Sequence, residues 1–413
     1  MTPEAIHVLH FADTHIGMEN YGRTDPRSGL SSRVVDFLRR MDEMIAYARD
    51  YDVDLVIFAG DAFKTRTPNP TYQREFAWRI RELADLAPVV MLVGNHDIAP
   101  NVLKASSIEI YDTLAVPNVW VANDYTVRLI ETKRGPVVVG TGPYPVRGRL
   151  LEAENTNGMT IAQTDALLQQ KMGQYIHALA EEADQYGDVP RLFTGHFTVS
   201  GAVVGSERDI MLGRDIAVGL DVLADDRWDY VALGHIHKHQ NLTKTRDDVP
   251  PVVYSGSMER IDFGEEGDPK GFCRVDLMRR QTRWEFVKVD CRPFVTLRHD
   301  LTKSTRPTED LLRYIGRHDL RDSVVRLLVK VSITNESELN EMNIRAALRD
   351  ADVYHVAGIR RETDRPDRAR LGTNPEGLTH AELLERYLIS REIDADQRQI
   401  LMEMATEIFD HTP

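Results

Sequence analysis

IHVLHFADTHIG (Ile6–Gly17) joins an apolar, β-rich run to an aspartate, a histidine and a glycine. The run is short enough for a buried strand, so the polar residues fall in the loop at its carboxyl end. The same arrangement recurs in IFAGDAF (Ile57–Phe63), LVGNHD (Leu92–Asp97), LFTGHF (Leu192–Phe197) and VALGHIH (Val231–His237). The strands read this way are Ile6–Phe11, Leu55–Ala59, Val89–Val93, Val137–Gly140, Leu192–Thr194 and Tyr230–Leu233. Helical stretches near Ser32–Arg49 and Tyr72–Ala84 separate the first three, which is the βαβ rhythm of a layered α/β fold.

Further along the chain the pattern changes. From Pro251 to Val289 successive strands follow one another, with Phe272–Leu277 and Trp284–Val289 the clearest. Two sheets packed face to face, with helices outside, accommodate both parts. The expected fold is therefore α/β (α+β), a two-sheet sandwich flanked by helices over residues 1–289. A small α+β domain is expected over 290–360: strand Val295–Arg298, helix Thr308–Tyr314, strand Val324–Ile333, helix Glu336–Arg349 and strand Val353–Ile359. Residues 361–377 are polar and punctuated by proline and glycine, and read as a linker. Residues 378–413 read as a helix pair, with Thr379/Glu382 and Asp394/Gln397 as capping signals.

Composition bounds the rest. A chain of 413 residues with 28% charged residues reads as soluble and globular, with no apolar run long enough to cross a bilayer. The N-terminus lacks a basic region followed by an apolar stretch, so no signal peptide is expected. Cys273 and Cys291 are too few for a disulfide framework or a cysteine zinc site, and read as thiols of a cytoplasmic protein. The net charge of −14 does not advertise nucleic acid. Its distribution is uneven: Asp290–Lys330 carries nine Lys/Arg against six Asp/Glu.

The strand-end residues share one chemistry. Asp13, His15, Asp61, Asn95, His196, His235 and His237 offer mixed oxygen and nitrogen donors, suited to manganese, iron or zinc rather than calcium. Seven donors exceed what one tetrahedral ion needs and match two ions sharing a bridging carboxylate. Two such ions can clamp the attacking and leaving oxygens of a phosphoryl displacement. Glycines at 60, 94, 195 and 234 precede these residues and are read as letting the chain turn off each strand. Histidines such as His7, His10, His177 and His355 lack this context and read as structural.

The ordered set DTHIG, GDAF, GNHD, GH and GHIH resembles the calcineurin-like metallophosphoesterases. The resemblance implies one metal held by Asp13, His15, Asp61 and His237, and another by Asp61, Asn95, His196 and His235. It implies a water activated between the ions as nucleophile, and His96 as the group that contacts the scissile phosphate and assists the leaving oxygen. Tyr254–Phe272 (YSGSMERIDFGEEGDPKGF) and DCRPF (Asp290–Phe294) are similar to the corresponding region of SbcD-type DNA repair nucleases.

That narrower resemblance implies a Mn2+-dependent 3′-to-5′ exonuclease and single-strand endonuclease acting on DNA without sequence preference. It also implies a cap over 290–360 that contacts DNA, a homodimer, and a cytoplasmic, nucleoid-associated protein. Residues 378–413 would then dock on an SbcC-type coiled-coil ATPase. Arg23, Arg27 and Arg33 follow the first motif and are candidates for backbone-phosphate contact. One departure stands out: Lys64 occupies a position where the family usually has aspartate or histidine. A small-substrate phosphodiesterase or phosphatase, and a non-catalytic scaffold tethering the ATPase to DNA, are the competing readings.

Overall fold

β1 (Ile6–Phe11), β2 (Leu55–Phe58), β3 (Val89–Leu92) and β4 (Val119–Ala122) run parallel, each paired with the next. The computed structural model describes residues 4–26, 28–99, 104–152, 154, 159–205, 215–364, 379–391 and 393–409. A second sheet takes β5 (Thr126–Thr132), β6 (Gly135–Gly142) and β7 (Arg191–His196). Beyond β7, β8 (Thr198–Val199) and β9 (Ala217–Val218) form a small parallel pair of their own. The second sheet is completed by β10 (Tyr230–Gly234), β11 (Gln240–Asn241) and β12 (Val252–Tyr254), in the order β11–β12–β10–β7–β6–β5. β13 (Gly271–Leu277) and β14 (Arg283–Lys288) add antiparallel to the open side of β1.

The two six-stranded sheets face each other. Because successive side chains of a strand point to opposite faces, Val8, Leu55, Ile57 and Leu92 meet Val139, Leu192, Ala232 and Val253 in a dry layer between the sheets. Each buried Val, Leu or Ile among them contributes roughly 1.5–3 kcal/mol. The alternate residues Leu9, Phe11, Val56 and Phe58 face outward onto helices Ser32–Asp50 and Pro70–Leu86. Ser31 and Asn69 cap those helices through side-chain oxygens, and Pro70 sits at the first helical position, where its missing N–H costs nothing. The second sheet is covered by helix Ile161–Asp184, which buries Leu168, Met172, Ile176 and Leu179. No described helix is long and apolar enough to cross a membrane.

The sandwich expected from the sequence is therefore present, with additions. Helix Ile161–Asp184 and strands β4 and β5 lie outside the expected elements. Within 290–360, β15 (Phe294–Asp300), β16 (Val324–Ser332) and β17 (His355–Asp364) form a three-stranded sheet in that order. The helix expected over Glu336–Arg349 starts later, as Glu341–Asp350, after a separate helical turn at Ile333–Glu336. Asn340 fixes that start: its side chain accepts from the Asn343 N–H as the helix cap.

Compactness divides the chain into two units, one of Met1–Thr296, Leu320–Arg326 and Asp352–Ala357, the other of Leu297–Asp319, Leu327–Ala351 and Gly358–Pro413. In the second unit, helices His380–Ser390 and Ala395–Phe409 begin at the two capping signals read from the sequence. Of the linker, 361–364 belong to β17 and 365–377 lie outside the described residues.

Candidate metal centre

The carboxyl ends of β1, β2 and β3 in one sheet and of β7 and β10 in the other bring all five loops together. Leaving a strand sharply strains the backbone. Asp13, His15, Asp61 and His235 take positive φ of 53°, 39°, 62° and 94°, a conformation that side-chain-bearing residues keep only where the surroundings enforce it. The glycines only partly serve the end expected of them. Gly60 alone of the four has a positive φ, +98°. At Gly94 a Cβ would collide with the Asp61 carboxylate, so that glycine is there for space rather than for a turn.

Two groups of donors meet around Asp61. Asp13, His15 and His237 each present a donor atom within 4.8 Å of the others, and so do Asp13, Asp61 and His196. His15 Nε2 lies 3.0 Å from His237 Nε2 and 3.7 Å from Asp61 Oδ2. On the other side, Asn95 Oδ1 lies 3.0 Å from His196 Nε2 and 2.9 Å from His235 Nδ1, and His196 Nε2 is 3.4 Å from Asp61 Oδ1. The structure thus brings together all seven residues read from the sequence.

Their protonation can be read from the far side of each ring. His196 Nδ1 meets the Ala59 carbonyl at 2.6 Å, which only accepts, so Nδ1 donates and Nε2 is the nitrogen left facing inward. His235 Nε2 meets Asp215 Oδ2 at 2.7 Å, and His237 Nδ1 meets Glu265 Oε1 at 2.9 Å, with the same consequence. The inward nitrogens and the carboxylates therefore converge, an arrangement suited to a cation. Without one, a proton is drawn in: burial opposes charge on His196, but Asp61 outweighs it and lifts its pKa to about 9. Burial also opposes charge on Asp61, yet His196 and its neighbours hold it well below the usual carboxylate range. The donor set fits divalent ions of the manganese–iron–zinc kind.

His96 stands beside this set. Its Nδ1 meets the Lys64 carbonyl at 2.8 Å, and its backbone N–H donates to Asp61 Oδ1 at 2.8 Å. Its ring also lies edge-on to His15 at 4.9 Å, and it forms a third potential donor group with His15 and Asp61. Lys64, the departure from the family pattern, orients His96 through its main chain. Of the loop arginines, Arg23 is exposed, Arg27 lies outside the described residues, and Arg33 is not available to a ligand. Arg33 is buried, paired with Asp36 at 2.8 Å and donating to the Arg260 carbonyl, so the contact considered for it is corrected.

Several residues have supporting roles that the sequence does not assign. Asp97 accepts from the backbone N–H groups of Asp61, Ala62 and Gly94, and so ties the second and third loops together. Burial, and then the Asp61 charge, push its pKa up to about 7. Asp215 and Glu265 hold the outward nitrogens of His235 and His237. Metal-binding histidines commonly have such partners, but Asp215 lies in no recognised motif, and within the SbcD-like stretch Tyr254–Phe272 nothing singles out Glu265.

A profile described as calcineurin-like phosphoesterase matches residues 6–239. The chain belongs to that family. This phosphoesterase is also similar to the SbcD component of the nuclease SbcCD from Escherichia coli (strain K12), 27% identical over 97% of this chain and 96% of that one. It is 28% identical to the SbcD component of the same nuclease from Bacillus subtilis (strain 168), over 65% of this chain and 66% of that one. Among solved structures, a dimetal phosphatase from Danio rerio aligns with a TM-score of 0.40, at 11% identity over 69% of this chain and 96% of that one. As a member of its family, the chain is a metal-dependent phosphoester hydrolase.

Proposed function

We propose that this phosphoesterase is a Mn2+-dependent DNA nuclease, a 3′-to-5′ exonuclease and single-strand endonuclease that works with an SbcC-type coiled-coil ATPase. The observation that carries the reading is the donor set around Asp61, in a chain similar to the SbcD component of SbcCD over 97% of its length. Asp13, His15, Asp61 and His237 would hold one ion and Asp61, Asn95, His196 and His235 the other. When bound, two such ions supply a clamp on the phosphate oxygens and a water of lowered pKa. The chain's own residues do the rest. Asp61 is fixed by the His96 N–H, and its loop by Asp97. Lys64 orients the His96 ring so that a protonated Nε2 donates to the leaving oxygen.

Sequence-independent contact suits residues 290–360, whose first half carries the excess of Lys/Arg noted above. Exposed Tyr387, Ile389, Ile400, Leu401 and Met404 give the C-terminal helices an apolar surface suited to docking on the ATPase. A homodimer through the helices of the phosphoesterase unit fits the exposed Trp78, Ile110 and Leu114, which line an apolar groove of about 400 Å³. The protein would act in the cytoplasm, at the nucleoid. Incubating the purified chain with closed circular single-stranded DNA tests the reading. Nicking with Mn2+ and none with chelator is expected. Turnover of small phosphate esters with intact DNA would favour a small-substrate phosphodiesterase.

A further inference from the structure

Glu265 and Lys270 form an ion pair inside the protein, with N···O at 2.8 Å and side chains 1% and 0% exposed. Burying two charges costs several kcal/mol per ion before their attraction is counted. Such a pair is weak evidence for stability, and its contacts suggest another purpose. Glu265 accepts from His237 Nδ1 at 2.9 Å and from the Ile261 N–H at 3.0 Å, as well as from Lys270. Lys270 donates to the His237 carbonyl at 3.1 Å and to Ser257 Oγ at 2.8 Å. One member of the pair thus holds the ring of His237 and the other holds its backbone.

The chemistry of these partners fixes the ring. A backbone N–H and an ammonium only donate, so Glu265 serves as an ionised acceptor, and His237 Nδ1 must carry the proton. Nε2 is left with its lone pair facing His15 Nε2 at 3.0 Å, inside the donor group of Asp13, His15 and His237. His235 is held without such an ion pair: its backbone N–H donates to Asp13 at 3.1 Å. Its partner Asp215 is 12% exposed, lies beside the short strand β9, and is shared with Tyr144 and Thr198.

We infer that Glu265 and Lys270 are positioning residues for the metal ion that His237 binds: together they set its tautomer, ring plane and main chain. The inference rests on the reading that His237 is a ligand. It assigns a role to the FGEEGDPKG stretch (Phe263–Gly271), which the strand-end motifs leave unexplained.

The test uses the full chain as wild type, as E265M/K270M and as E265Q. The double variant replaces both charges with apolar side chains of similar length, so no lone charge is left buried. E265Q keeps an oxygen for the ring and remains informative if the double variant does not fold. Imidazole 15N resonances of the metal-free protein report the tautomer, and Mn2+ titration followed by electron paramagnetic resonance reports each ion. Wild type should show His237 protonated at Nδ1 and should bind two ions. In E265M/K270M the tautomer should be lost and one ion weakened ~10–100-fold while the other is kept, with E265Q in between. Two ions bound as in wild type by either folded variant, with the tautomer unchanged, would overturn the inference. Wild type that binds no second ion would instead bring down the ligand assignment itself.

Discussion

The two halves of the metal centre are built to different standards. Around His237 the supporting shell is a dry ion pair that grips both ring and backbone. Around His235 one partly exposed aspartate, next to a two-residue strand, holds the ring, and the main chain is held by Asp13, itself a proposed ligand. Asp61 belongs to both halves, and its own loop is held by Asp97 through main-chain donors. On the two-ion reading proposed above, one ion would be held firmly in place and the other more loosely. In a two-ion mechanism, the looser side is where adjustment to a substrate phosphate costs least.

Removing the shared residue should erase the contrast altogether. Asp61→Ala is expected to lose both ions on dialysis and to abolish cleavage; metal analysis of the dialysed protein that finds two retained ions would end the bridging assignment. His96→Ala should leave the contrast intact and lower the rate. Both ions and the affinity for DNA should persist, with cleavage at least ~100-fold slower, the usual range for general-acid help. Metal titration, fluorescence anisotropy and timed cleavage on one preparation check this, and lost metal would make His96 a ligand.

Asp215→Asn should sharpen the comparison by acting on one side. It keeps the volume but weakens the hold on His235, so one ion is expected to bind ~10-fold more weakly while the other is unmoved. A paired loss in the Mn2+ titration would mean that the halves are not separable. Removing residues 378–413 should touch neither half. Cleavage of single-stranded DNA should stay near normal and co-purification with the ATPase should fail; normal co-purification would move the docking surface elsewhere.

Much of this could be read from the sequence because strand ends announce themselves. A short apolar run followed by Gly-Asp, Gly-Asn-His-Asp or Gly-His-Ile-His gives both the sheet and the donors, and all seven converge as read. Helix Ile161–Asp184 was legible too, through Thr160/Gln163 and its apolar stripe, but a reading organised around strand ends passes over it. The supporting shell was not legible. Glu265 stands among Asp262, Glu266 and Asp268, and nothing local marks it as the one that turns inward. Only the packing of its short turn against His237 and Lys270 selects it. Arg33 erred in the other direction, since a basic residue after a catalytic motif looks like a phosphate contact until its partners Asp36 and Arg260 appear.

The most direct test of the central claim is anomalous scattering from crystals of the full chain grown with Mn2+. Two peaks ~3.5–4 Å apart are expected, the usual spacing of two-ion phosphoryl-transfer sites, with Asp61 touching both and His15 and His196 on opposite sides. A single peak, or two peaks of which one lies out of reach of Asp61, would contradict that claim.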